Sequence, residues 1–249
     1  MFLRKDIPLN IYQLGDLDDF FWPYTQWYGL QQNGEIIAVV LLYTEVEPPV
    51  VVALAKKEKL QPLKKLVLSI RDQLPHHFYA HLSEGLQTSL ANMYQLTFHS
   101  IHYKMILKDR WALRKANTTD VQRLTTNDLE DLKKFYNRSY PSSWFNPRML
   151  ETGHYHALYQ SGEMVCAGGI HVYSPLYKVA ALGNIATHPD YRNRGYAKQV
   201  IAALCSNLLK VVDHIGLNVS VDNATALKCY TQLGFGIIDN YEEFTVKKV

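Results

Sequence analysis

The sequence predicts an α/β fold arranged as two domains, and three observations carry that reading. Segments of strand character alternate with segments of helical spacing along the whole chain. The two halves also share a plan: Ser89-Leu90 through Leu96-Thr97-Phe98 parallels Ala226-Leu227 through Leu233-Gly234-Phe235, each running from a short helix through Leu-x-Phe into a strand. Chance likeness of two α/β segments is the competing explanation. Finally, 249 residues with 47% hydrophobic and 20% charged content describe a globular chain long enough for one large or two ordinary domains. The linker falls near Lys108 to Trp111, giving domains over residues 1–109 and 110–249.

In the first half, residues 35–43 and 50–56 read as paired strands, 61–74 as a helix and 77–82 as a strand. Residues 86–94 look helical, and 98–107 close that half as a strand. In the second half, residues 111–115 form a short strand candidate. Asn117 and Thr118 offer caps for a helix over 120–137, with Leu124, Leu129, Leu132 and Phe135 at helical spacing. Two prolines make 139–147 a loop. Strands over 155–160 and 164–173 flank Ser161-Gly162-Glu163, which has hairpin-turn chemistry, and a strand over 178–187 follows. A helix over 195–210, a strand over 214–220, a helix over 224–233 and a strand over 235–246 complete the chain.

Composition removes several classes of function. A net charge of +3 is too small for a nucleic-acid-binding face. The 3 cysteines, Cys166, Cys205 and Cys229, are odd in number and far apart, matching neither a metal site nor a disulfide framework. Reduced thiols fit a cytoplasmic protein, and residues 1–10 lack the apolar stretch of a signal peptide. The most apolar run, 36–55, is broken by Thr44, Glu45, Glu47 and Pro48-Pro49, so no membrane role is expected.

The most informative segment runs from Leu182 to Ala197: a strand, a Pro-containing turn, then Arg192, Arg194 and Gly195 opening an apolar-faced helix. N–H groups at a helix start lack intrahelical partners, and the helix dipole there favours anions. Gly195 lets the backbone approach a phosphate without a Cβ in the way. Taken alone, this is equally a helix start with solvated arginines. Downstream, Asn223 precedes a helix bearing Tyr230, seven residues on and so roughly on the same face, followed by Leu233-Gly234-Phe235. Asn223 also suits a helix cap, and Tyr230 a core position.

Together these segments resemble the cofactor-binding motifs of the GNAT superfamily of N-acetyltransferases. The resemblance covers residues 111–249 in plan, and implies a GNAT fold there with a smaller, degenerate GNAT-like domain before it. Residue by residue, Arg192, Asn193, Arg194, Gly195, Tyr196 and Ala197 match the family's pyrophosphate loop. Ile185, Ala186 and Thr187 match the strand whose backbone bonds the pantetheine arm, and Asn223 matches a residue that contacts it. Tyr230 matches the tyrosine that often sits by the thioester sulfur, where its O–H, with a reference pKa near 10, suits an acid for the departing thiolate. The resemblance implies acetyl-CoA as acyl donor, no metal, and direct attack by a primary amine of a small molecule or amino-acid derivative. The expected partner is that amine, with no nucleic acid and no membrane, and at most a second copy of the chain as a homodimer.

Some family members place a carboxylate on the strand matching 178–186, and this sequence has none there. The base then falls to a water relay or a neighbouring-strand residue, His171 or Tyr173. The acceptor pocket is expected from 139–145 and 171–177, with Trp144, Phe145, Tyr173 and Tyr177 as aromatic walls. Two other readings stay open: a non-catalytic acyl-CoA-binding or regulatory module, and a double-GNAT transferase with a longer acyl donor. The first half has no counterpart of Arg-x-x-Gly-x-Ala, so no cofactor is expected there. Its order before an active domain is also similar to glycine N-acyltransferase-like proteins, without a motif specific for that substrate.

Overall fold

The structure, a computed structural model, describes residues 2–249. The chain forms two compact units. Unit one comprises Met1–Lys104, Val219–Asp222 and Ile238–Val249, and unit two Met105–Asn218 and Asn223–Ile237. This division groups residues 238–249 with the first unit, whereas the sequence reading puts them in the second domain. The physical reason is strand pairing, described next.

Unit one is built on strands β1 (Thr25–Gln32), β2 (Glu35–Tyr43), β3 (Val50–Ala53) and β4 (His77–Leu82). β1, β2 and β3 pair antiparallel in sequence, and β3 pairs parallel with β4. The C-terminal end of the last strand then pairs antiparallel with β4, from Glu242↔Leu82 to Lys247↔His77. The β1–β2 turn is Asn33-Gly34, with φ of 52° and 81°, the positive values a two-residue hairpin turn requires. A short helix, α1 (Ile11–Gly15), precedes β1, and α2 (Leu60–Ile70) follows β3. α2 buries Leu63, Leu66, Val67 and Ile70 against Val40, Val51, Phe78, Ala80 and Phe244. Strand alternation turns Tyr79, His81, Tyr241 and Glu243 to the opposite face. There the Glu243 carboxylate accepts bonds from Tyr79 (2.5 Å) and Tyr241 (2.8 Å) and lies 3.4 Å from both His81 and His102.

Strands β5 (Tyr94–Leu107) and β11 (Phe235–Lys248) contribute residues to both units. Within unit two lie β6 (Val121–Arg123), β7 (His156–Gln160), β8 (Glu163–Ser174), β9 (Val179–Thr187) and all of β10 (His214–Ser220) except Val219 and Ser220, which belong to unit one. β6 to β9 pair antiparallel in sequence, and β10 pairs parallel with β9. The helices are α3 (Leu129–Ser139), α4 (Tyr196–Leu208) and α5 (Ala224–Gln232). α4 buries Val200, Ile201, Leu204, Cys205 and Leu208, one apolar stripe at helical spacing.

Three sequence expectations are corrected. Residues 111–115 are not a strand: Arg110–Lys115 is a 3-10 helix, begun by Asp109 accepting from the Trp111 N–H at 2.9 Å. The helix over 120–137 starts later, because Val121–Arg123 pairs with β7 and Thr125 with Asp128 forms a capping box that sets the start. Residues 86–94 hold only a 3-10 turn, Gln87–Ser89, although Leu86, Leu90 and Tyr94 are all buried as a helix face would be.

Candidate active site

The site is built where β9 gives way to α4. Residues 182–187 of β9 do not run regularly beside their neighbours. Opposite Gly168 of β8, between the pairs Ala167↔Ala186 and Gly169↔Gly183, β9 carries two residues, Asn184 and Ile185: a β-bulge. Asn184 sits there in the left-handed region, φ 54°. On the other side, pairing with β10 runs only from Val179↔His214 to Ala181↔Gly216. Beyond Ala181 the two parallel strands part, so β9 leaves backbone groups without a ladder partner on that edge over Ile185, Ala186 and Thr187.

Buried bonds hold the bulge. The Tyr136 hydroxyl of α3 donates to the Asn184 carbonyl at 2.7 Å, and Asn184 Nδ2 donates to the Tyr155 hydroxyl at 3.1 Å. Tyr155 in turn donates to the Ile170 carbonyl of β8 at 3.1 Å. Burial pushes both tyrosine pKa values up, so both hydroxyls keep their protons. Gly168 and Gly169 point to opposite faces: a Cβ on Gly168 would meet Ile185 and Val200 of α4, and one on Gly169 would meet the Tyr155 ring.

After β9, the 3-10 turn Pro189–Tyr191 carries the chain into the loop. Arg192, Asn193, Arg194 and Gly195 are all exposed. Arg192 Nε donates back to the Thr187 carbonyl at 3.3 Å, and Arg194 donates to the Asp190 carbonyl at 3.2 Å while lying 5.0 Å from the Tyr191 ring centre. Asn193 has φ 63°, and Gly195, the N-cap of α4, has φ 81°. Nothing lies within 4 Å of where a Gly195 Cβ would stand. The first-turn N–H groups of α4, from Tyr196 and Ala197 onward, therefore open on a clear approach at the positive end of a 13-residue helix. That arrangement fits a pyrophosphate group.

The other expected residues are placed as follows. Asn223 is exposed and caps α5, its Oδ1 accepting from the Ala226 N–H at 3.1 Å. Tyr230, on the same helix, lies 6.0 Å ring to ring from Phe235. Burial first, and then Cys229, Tyr140 and Cys205 nearby, hold its pKa well above the ordinary tyrosine value. His171 occupies a second irregularity of β8, between Ile170↔Leu182 and Val172↔Ala181, with its ring against Gly183 of β9. Two of the expected pocket walls pack on other aromatic rings: Phe145 lies between Tyr136 (5.1 Å) and Tyr155 (5.5 Å), and Tyr173 packs on His154 (4.3 Å), while Trp144 is exposed. An open cleft of about 460 Å³ in unit two is lined by Asp131, Arg138, Tyr159 and Glu163 among others, and by none of the expected site residues.

Sequence reasoning missed Asn184, Tyr136 and Tyr155. The available signal was Gly183-Asn184 inside an apolar strand, since both residue types are depleted in strands and an interior Gly marks a bulge.

Comparison with known proteins places this architecture. A GNAT-family protein from Novosphingobium aromaticivorans superposes with a TM-score of 0.64 at 12% identity, covering 89% of this chain and 92% of its own. An acetyltransferase from the GNAT family from Colwellia psychrerythraea gives 0.58 at 15% identity over 99% of this chain and 97% of its own. A tandem GNAT protein from the clavulanic acid biosynthesis pathway gives 0.56 at 14%, over 95% and 87%. At these identities the likeness is one of fold, and it extends through both halves of the chain. No curated protein matches the sequence. Residues 120–235 match the model of the acetyltransferase (GNAT) family. The chain thus has the GNAT fold, and its residues 120–235 are similar to the acetyltransferase (GNAT) family. No cluster of metal ligands occurs among the described residues, and no described helix is long and apolar enough to cross a membrane.

Proposed function

We propose that the protein is an N-acetyltransferase that moves the acetyl group of acetyl-CoA to a primary amine of a small molecule or amino-acid derivative. The observation that carries this is the open Gly195 start of α4, reached directly from the bulged, partly unpaired end of β9. The N–H groups from Asn193 to Ala197, with Arg192 and Arg194, would hold the pyrophosphate. Backbone groups of Ile185, Ala186 and Thr187 would hold the pantetheine arm, with Asn223 beside it. Bound there, acetyl-CoA supplies an activated thioester carbonyl.

The chain's own residues then orient and move protons. Holding amine and carbonyl in line can supply several kcal/mol of the barrier. Tyr230 is the group assigned to donate to a departing thiolate: a tyrosine, with reference pKa near 10, carries its proton at neutral pH. An alkyl ammonium, reference pKa about 10.4, costs roughly 4–5 kcal/mol to deprotonate at pH 7. His171 is the protein group assigned to take that proton. The compartment we assign is the cytoplasm, where three reduced cysteines persist.

The test is a panel of primary amines with acetyl-CoA, reading released thiol. Turnover on none of them, with acetyl-CoA still bound, replaces this reading with a non-catalytic acyl-CoA-binding module. Stronger competition by longer acyl-CoAs moves the donor to a bulkier acyl group. Two variants locate the site. Gly195→Asp forces an L-residue into φ 81° and sets a negative charge at the helix start, so CoA binding measured by calorimetry should vanish. Unchanged affinity would put the phosphates elsewhere. Tyr230→Phe should lower turnover by about 10²-fold, the low end for a lost general acid, with CoA affinity little changed.

A further inference from the structure

We infer that Asn184 and Tyr155, supported by Tyr136, are positioning residues for acyl transfer: they fix the bulge that sets the course of Ile185 to Thr187, where β9 has no ladder partner on its β10 edge. The inference rests on the acyltransferase reading above.

Hydrogen-bond direction makes the case. A tyrosine hydroxyl has one proton. Tyr155 spends its proton on the Ile170 carbonyl, so toward Asn184 it can only accept, and only the amide side of Asn184 can face it. The result is a directed chain, Asn184 Nδ2–H to Tyr155 O–H to Ile170 C=O, which ties the β9 bulge at Asn184 to the β8 irregularity beside His171. Meanwhile the Asn184 carbonyl is held from α3 by Tyr136 at 2.7 Å. Asn184 is 5% exposed and Tyr155 is fully buried, so water does not substitute for either.

Asparagine itself meets two demands here, and the backbone carbonyl that any residue would supply meets a third. It tolerates the left-handed backbone, φ 54°, better than other residues with a Cβ. Its amide donates where a carboxylate cannot. Its carbonyl faces a donor on a different element. These hydroxyl and amide groups bond one another and backbone carbonyls, which places them as positioning residues.

The experiment uses the full chain with acetyl-CoA, a panel amine that the wild type acetylates, and free CoA for binding. Asn184→Gly keeps the backbone conformation and removes the amide; Tyr155→Phe removes the hydroxyl. Each should lower kcat on the order of 10-fold or more, the scale a misdirected reacting group produces, with a far smaller change in CoA affinity. In the absence of CoA, the amide NMR signals of Ile185, Ala186 and Thr187 should shift in both variants. Because both break one chain, the double variant should be no slower than the slower single one. Should these variants fail to fold, Tyr136→Phe, which removes a single hydroxyl, is read by the same amide signals. Multiplying kcat losses in the double variant, or unmoved amide signals, would overturn the proposal while leaving the acyltransferase reading intact. A wild-type chain that neither binds CoA nor acetylates any amine overturns both.

Discussion

His154 and His156 are buried, 7% and 6% exposed, and the Nδ1 atom of each has no hydrogen-bond partner among the described residues. Burial, with Arg123 close to both and His154 also beside His156, lowers each pKa from 6.5 to about 4. A histidine whose folded pKa lies below its unfolded one favours the folded state fully above the unfolded value. That contribution is lost as pH falls from about 6.5 toward 4, because the unfolded chain takes up the proton first. Unfolding free energies from urea titrations should therefore fall across that window, by a total on the order of a few kcal/mol. His154→Gln, which does not titrate, should flatten the slope; an unaltered profile would move the acid sensitivity to other groups. Glu243 in unit one adds to it at lower pH: its two histidines and two tyrosine hydroxyls outweigh burial and lower its pKa, so its stabilisation is lost as pH falls through that depressed value.

At the scale of elements, α5 shows how one residue can serve structure and site together. Asn223→Ala removes the cap and should cost about 1 kcal/mol of stability, visible as a lower Tm. Asn223→Ser keeps a capping oxygen but loses the amide, so weaker CoA binding in that variant alone would separate the cofactor role from the cap. Elements carried by a strong local signal were legible in the sequence: the Ser161-Gly162 turn, the β9-to-α4 passage and the apolar stripe of α4 all follow from spacing and turn chemistry. β1 escaped because most of its positions are exposed or half-exposed, leaving no clear alternation, although Asn33-Gly34 marked its turn. The α3 start was misjudged because Leu124 fits the helical spacing, while its N–H donates to the Tyr155 carbonyl instead. Asn184 and its tyrosines were invisible for a different reason. Tyr136 and Asn184 stand 48 positions apart, and only tertiary structure brings them to 2.7 Å.

At the scale of the whole molecule, unit one draws on both ends of the described chain. Tyr241, Phe244 and Val246 from the far end are buried in its two cores, and β4 is paired along one edge by that segment. Removing residues 238–249 strips those side chains from unit one and leaves every residue of unit two in place. Hydrogen exchange on the truncated chain should show protection lost in β3, β4 and α2 and kept in β7 to β9. Equal loss in both units would mean that they stand or fall together. The same threading bears on how the molecule is made. A chain emerging from the ribosome ordinarily completes its first-made portion first. Here the edge of β4 in unit one stays bare until residues 238–249 have been made, so the residues of unit two can all be in place before unit one is completed.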